Sequence, residues 1–122
     1  MKKSLLLLIV VMSHFVMVGI SHAGAKFSLP VVVTATTIYG NFGSTRNSAN
    51  AIEYFYYFDY GSSVRVYARN AAGTTASCVT TNPTHTAIIR RAVDSSYLYI
   101  ALSAGTCTSV RHANGSVMEP KV

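Results

Sequence analysis

A β-hairpin predicted between residues 52 and 70 limits the possible folds of this chain more than any other feature. Residues 52–60 are aromatic and β-prone, Gly61-Ser62 can form a two-residue turn, and residues 63–70 return with alternating apolar and polar side chains. Glycine at the first turn position suits a type II′ turn, whose twist matches that of two antiparallel strands. The segment therefore predicts antiparallel β structure.

The turn also determines which hairpin residues share a face. Opposed residues have numbers that sum to 123, so Tyr57 faces Val66 and Tyr56 faces Tyr67. Side chains alternate along a strand, and a slip of one residue would exchange the two faces. The predicted core face carries Phe55, Tyr57, Val64, Val66 and Ala68. The opposite face carries Tyr54, Tyr56, Phe58, Tyr60, Arg65, Tyr67 and Arg69.

The rest of the chain adds further strands and one helix. Strands are predicted at residues 29–39, 74–81, 97–102 and 106–112, whereas the turn-forming residues 40–50 predict a loop. Asn82 and Pro83 suit a helix start, with apolar residues at four-residue spacing after them. We therefore predict a mainly β fold, a single antiparallel sandwich or barrel-like domain with one short helix at about 83–93.

The first 23 residues have the layout of a secretory signal peptide. Lys2-Lys3 precedes an apolar run, and Ser21-His22-Ala23 supplies small residues before a cut. A run of about 16 apolar residues is short for a membrane span, so no span is expected after cleavage. Cleavage after Ala23 leaves 24–122 as one exported β domain, and a cut after Ala25 is the close alternative. We expect it in the periplasm of a bacterium or secreted from the cell.

Two cysteines, Cys78 and Cys107, remain after the predicted cleavage. An even count in a short exported chain predicts a disulfide. It would join the strand before the helix to the last strand. Metal ligation is a weaker alternative, because the two residues are far apart and no Cys-x-x-Cys is present.

The charge of the exported part favours anionic partners. From Gly24 onward the chain has eight basic and four acidic residues. A moderately basic exported protein tends to prefer anionic surfaces, although solubility alone could explain this charge. The arginines are scattered without a basic run, so no specific binding of nucleic acid is expected.

Few residues could support catalysis. The exported part has four acids, with His85 and His112 as its imidazoles, and it lacks the Gly-x-Ser-x-Gly and His-Glu-x-x-His motifs. No catalytic residue, metal site or cofactor is predicted. A small secreted hydrolase would need both histidines and an acid in one cleft, and a hydrolase inhibitor is another alternative.

The aromatic–arginine face of the hairpin is the candidate site. Aromatic rings stack on sugars or bases, and arginines stack on rings or bind carboxylates and phosphates. The alternative is that a helix or a second sheet covers this face, because several exposed rings would form a large apolar patch. The candidate binding residues are Tyr54, Tyr56, Phe58, Arg65, Tyr67 and Arg69.

Five short segments carry a likeness to known proteins. They are Arg46 to Ala49, Val66 to Thr74, Ser96-Tyr97, Gly105 to Cys107 and Pro120-Lys121. Together they resemble a group of small exported proteobacterial proteins of uncharacterised function. The resemblance implies export and a disulfide-stabilised β fold, without an activity. That group has a second cysteine pair on the hairpin, where this chain has Tyr57 and Val66.

A second, shorter likeness concerns the hairpin alone. Tyr56-Tyr57-Phe58, followed by Gly61 and Val64-Arg65-Val66, is similar to a segment of the glycan-binding B subunits of bacterial AB5 toxins. It implies a glycan-binding, toxin-associated subunit as an alternative. The preferred prediction is a non-enzymatic exported module that binds an unidentified protein, or an anionic or glycan ligand, at the envelope or outside. The oligomeric state stays open.

Overall fold

Seven strands and two helices make up residues 28–115, the part of the chain that the computed structural model describes. The predicted signal peptide lies outside these residues. The strands are β1 (Val32–Val33), β2 (Thr37–Asn41), β3 (Tyr54–Asp59), β4 (Val64–Arg69), β5 (Thr75–Thr80), β6 (Tyr97–Ser103) and β7 (Thr106–Ala113). The helices are α1 (Phe42–Arg46) and α2 (Pro83–Arg90).

All seven strands belong to one sheet, in the order β1-β2-β6-β7-β5-β4-β3. The predicted mainly β class is confirmed. Five of the six strand pairings among the described residues are antiparallel. The sixth, β5 with β7, is parallel and rests on one pair, Val79 with Thr106. The sheet curls, because β1 also contacts β4 near the other end of the strand order.

The predicted hairpin register is confirmed at every pair. Tyr57 lies opposite Val66, and Tyr56 lies opposite Tyr67. The amide of Tyr60 donates to the carbonyl of Ser63 at 2.9 Å, which closes the turn. Gly61 has a φ of +90°, the positive value that a type II′ turn requires at its first central residue.

The helices differ from the prediction in extent and number. α2 starts as predicted, with the Asn82 side chain accepting from the amides of Thr84 and His85. It ends at Arg90 rather than near residue 93, because the chain turns there and the Val93 amide donates to Ser96 Oγ instead. The segment 40–50, predicted to be a loop, contains α1. The described residues therefore have two helices, and the prediction of one helix is wrong.

The core lies on one face of the curled sheet. The predicted core residues of the hairpin are buried, except for Tyr57, which is half-buried. α1 closes part of this face, with the Phe42 ring packed edge-on against Phe55 at 4.7 Å between centroids. The buried apolar residues are Val31, Val33, Ile38, Phe55, Val64, Val66, Ala68, Cys78, Ile89, Leu98, Ile100, Cys107 and Val110.

The predicted disulfide between Cys78 and Cys107 is confirmed and lies inside this core. The two residues are 0% and 3% exposed. The bond joins β5 to β7, where a single residue pair connects the hairpin half of the sheet to the other half. The cross-link therefore reinforces the shortest pairing at the centre of the strand order.

Candidate functional site: the hairpin face

The structure brings all six candidate residues together on the outer face of β3 and β4. They form three opposed pairs: Tyr54 with Arg69, Tyr56 with Tyr67, and Phe58 with Arg65. We call this group, together with Tyr60, the hairpin face. Because all of its members point away from the core, the pairing that builds the hairpin also assembles the face.

Aromatic contacts connect the rings of the hairpin face. Tyr56 stacks on Tyr67 with 4.9 Å between centroids and 18° between planes. Tyr54 lies 5.6 Å from Tyr56. Phe58 lies 4.8 Å from Tyr60, near the turn. These contacts restrain ring motion and present a broad aromatic surface, as is common at interfaces.

The hairpin face is open to solvent. Tyr56, Phe58 and Tyr60 are 47%, 56% and 57% exposed, and the other four members are half-buried. No helix or second sheet within residues 28–115 covers them, so the covered-face alternative finds no support there. Six large apolar side chains are exposed in the described chain. Four of them are Tyr56, Phe58, Tyr60 and Ile52, which lies two residues before β3. A cluster of this kind marks an interaction surface.

Within residues 28–115, no carboxylate pairs with the two arginines of this face. Residues 28–115 contain six arginines and three carboxylates. Each of these carboxylates is engaged elsewhere: Asp59 by Arg90, Asp94 by Arg46, and Glu53 by Ser48. Arg65 and Arg69 form no ion pair within the described residues, so the face can attract an anion.

Arg69 also has an unsatisfied donor. Its Nε is buried and has no hydrogen-bond partner within residues 28–115. A buried donor without an acceptor is uncommon and costs free energy. This position of the hairpin face therefore offers a donor to an incoming acceptor, provided that the side chain shifts to expose it.

An ion pair fixes the turn end of the hairpin to α2. Arg90 donates from Nε and Nη2 to the two carboxylate oxygens of Asp59, at 2.7 and 2.9 Å. Its Nη2 also donates to the Gly61 carbonyl at 2.6 Å. The hydrogen bond from Arg90, helped by one from the Gly61 amide, lowers the pKa of Asp59. Asp59 therefore stays charged at neutral pH, and both of its carboxylate oxygens are occupied by Arg90.

A small cleft adjoins the hairpin face where β3 begins. It has a volume of about 230 Å³ and lies between Phe42, Thr45 and Arg46 of α1 and residues 53–56. Tyr54 and Tyr56 line the cleft and also belong to the hairpin face. The sequence did not reveal the cleft, because α1 itself was not predicted.

A second aromatic group, which the sequence did not single out, lies on the outer face of β2, β6 and β7. Tyr39 stacks on Tyr99 with 5.8 Å between centroids and 23° between planes. Tyr97 lies 6.5 Å from Tyr39, and the guanidinium carbon of Arg111 lies 6.0 Å from the Tyr99 ring centroid. We call these four residues the tyrosine platform. Burial, with smaller effects from Tyr39 and Tyr99, raises the pKa of Tyr97, so its phenol stays neutral.

The two described histidines each contact a hydroxyl group. His85 Nδ1 lies 3.3 Å from Thr80 Oγ1, beside a cavity of about 280 Å³ next to the disulfide. His112 Nε2 lies 2.9 Å from Ser96 Oγ. Ser96 is only 1% exposed and already accepts from the Val93 amide. Within residues 28–115 no three of the histidine, cysteine and acidic side chains gather as metal ligands.

Comparison of the chain with protein-family models, with curated proteins and with solved structures finds no match. The two resemblances therefore stay predictions, and function must be argued from the geometry of the chain. In the part of the chain that the structure describes, no helix has the length and apolar character needed to cross a membrane.

Proposed function

We propose that this protein is a non-enzymatic exported module that binds an anionic partner, at the cell envelope or outside the cell, through the hairpin face. One observation carries the proposal: an exposed set of stacked aromatic rings lies beside two arginines that have no ion-pair partner in residues 28–115. Rings supply contact area, and arginines supply forked donors for carboxylate, sulfate or phosphate groups.

Binding is favoured over catalysis by the state of the candidate nucleophile. Ser96 and His112 are the pair closest to a serine–histidine arrangement. A serine nucleophile needs access to substrate and a histidine that a third group orients. Ser96 is buried, and within the described residues no carboxylate hydrogen-bonds His112. This pair instead holds the turn before β6.

Export is supported by the disulfide and by the amino-terminal sequence. A buried disulfide fits a non-reducing compartment, since thiols are kept reduced in the cytosol. The first 23 residues add the layout of a signal peptide. Mass analysis of the protein recovered from an exporting host tests this part. A mature chain that begins at Gly24 or Lys26 is expected, whereas an uncleaved chain would contradict export by this route.

The proposed partner can be sought by crosslinking capture. The oxidised protein is incubated with cell-envelope and culture-supernatant extracts, and captured molecules are compared between variants. The double variant Arg65→Ser/Arg69→Ser should no longer capture the molecules that the wild type captures. Arg91→Ser is the matched control, since it removes an exposed arginine away from the hairpin face. Equal capture by wild type and the Arg65/Arg69 variant would contradict the proposal.

A glycan-binding subunit is the second candidate. The exposed rings of Tyr56, Phe58 and Tyr60 favour it, because exposed aromatic rings can pack against a sugar. Saturable binding of a glycan that Tyr56→Ser abolishes would support this candidate. A ring-shaped oligomer, measured by light scattering, would favour the toxin-associated form, whereas a monomer would count against it.

A further inference from the structure

The tyrosine platform shares its chemistry with the hairpin face but lies on other strands. Tyr39 of β2 pairs with Tyr99 of β6, and Tyr99 pairs with Arg111 of β7. A single row across three neighbouring strands thus holds two stacked phenols and one guanidinium. Tyr97 lies beside this row, two residues before Tyr99 on β6 and 6.5 Å from the Tyr39 ring.

Within residues 28–115, no carboxylate lies on the three strands that carry the tyrosine platform. β2, β6 and β7 have no acidic residue, and Arg111 forms no ion pair within residues 28–115. Its side chain is exposed above the Tyr99 ring. The guanidinium therefore combines a cation–π contact on one side with free donors toward solvent, which is the arrangement that binds an anionic group next to a stacked ring.

We propose that the tyrosine platform is a second binding site, and that both sites take an acidic polysaccharide. The phenol hydroxyls exchange hydrogen bonds with sugar hydroxyls, the ring edges pack against the sugar, and the arginines bind the carboxylates. This inference rests on the proposed function for the charge of the ligand, but not for the place of binding.

The spacing of charges favours a polysaccharide over a nucleic acid. Residues 28–115 contain no lysine, and the arginines without an ion pair on the two sites are Arg65, Arg69 and Arg111. Arg65 and Arg69 are four positions apart on one strand, so their Cα atoms are about 13 Å apart. A nucleic-acid strand carries one phosphate every ~3.4 Å and is bound by denser positive charge. The protein instead matches a polymer that carries a charge on only some of its units.

The two sites cannot be filled by one small ligand. Tyr99 of β6 and Tyr67 of β4 are separated by three strand spacings, which is about 14 Å along the sheet. The curl of the sheet turns the outer faces of its two halves away from a common plane. Each site therefore takes its own sugar segment, and a protein with both sites can connect separate polymer chains when long chains are in excess.

The test uses hyaluronan, which has one carboxylate per disaccharide, as long chains and as a short oligosaccharide. Calorimetric titration with the oligosaccharide should give two sites for wild type and for the control Arg91→Ser. Arg111→Ser should keep the site on the hairpin face. The affinity of the tyrosine platform should fall by about tenfold or more, so that only one site is detected. The triple variant at Arg65, Arg69 and Arg111 should show no binding. Turbidity from crosslinked long chains should appear only when both sites are intact.

Circular dichroism checks that each variant is folded. If Arg111→Ser does not fold, Arg111→Lys replaces it in the titration. Lysine keeps the charge but loses the planar fork, so weakened binding is again expected. Two sites retained after the Arg111 change would overturn the second site and leave the hairpin face untouched. Capture of a protein by the hairpin face, without hyaluronan binding, would overturn the ligand class alone. Equal binding of neutral dextran, or tighter binding of oligothymidylate, would also overturn it.

Discussion

Loss of the disulfide should destabilise this fold more than a surface change can. We consider a variant in which Cys78 and Cys107 are both replaced by alanine. The bond closes a loop of 29 residues. Loop-closure entropy for that length corresponds to about 3.6 kcal/mol at 25 °C. A domain of this size shifts its melting midpoint by about 4–8 °C per kcal/mol, so a fall of about 15–30 °C is expected.

The position of the disulfide between β5 and β7 supports this expected loss of stability. β5 and β7 share only the pair Val79 and Thr106, so few backbone hydrogen bonds join the two halves of the sheet at that junction. The assay is urea denaturation of the oxidised protein, of the reduced protein and of the double-alanine variant. Reductant should lower the midpoint of the wild type and leave that of the variant unchanged. A loss of stability below about 1 kcal/mol would refute the reasoning, because the loop entropy would then not limit unfolding.

Three further changes test the fold and the hairpin face. Gly40→Ala should lose about 2–4 kcal/mol in urea denaturation, because its Cβ would lie 2.8 Å from a backbone carbon at a φ of +150°; a loss below about 1 kcal/mol would refute this close approach. Tyr56→Ser should lose only about 1 kcal/mol, since the ring is half exposed; a loss above about 3 kcal/mol would show that it is core. Arg90 lowers the pKa of Asp59 from 3.8, so the ion pair contributes stability at neutral pH that is lost as the pH falls below about 4. Asp59→Asn should weaken that acid dependence in a pH series of melting curves, and an unchanged series would contradict it.

Local signals explain why the hairpin could be predicted. Gly61-Ser62 selects the turn, and the turn sets the register of residues close in sequence. Alternation then determines the two faces without reference to the rest of the chain. The six candidate residues were found together for this reason, and the same holds for the Asn82 cap at the start of α2.

Long-range contacts explain what the sequence could not predict. α1 has no apolar period, and its residues Gly43 and Thr45 are held by bonds to Asp94 and Val31, which are distant in sequence. The tyrosine platform likewise depends on β2 pairing with β6, across more than fifty residues. The openness of the hairpin face also depends on how the other strands curl, which alternation does not specify.

The central claim is that the hairpin face is a binding surface, and hydroxyl-radical footprinting tests it most directly. The protein is labelled alone and together with a cell-envelope extract. We predict reduced labelling of Tyr56, Phe58 and Tyr60 in the extract, with the exposed Val93 unchanged as an internal control. Equal labelling of the three rings with and without the extract would contradict the claim.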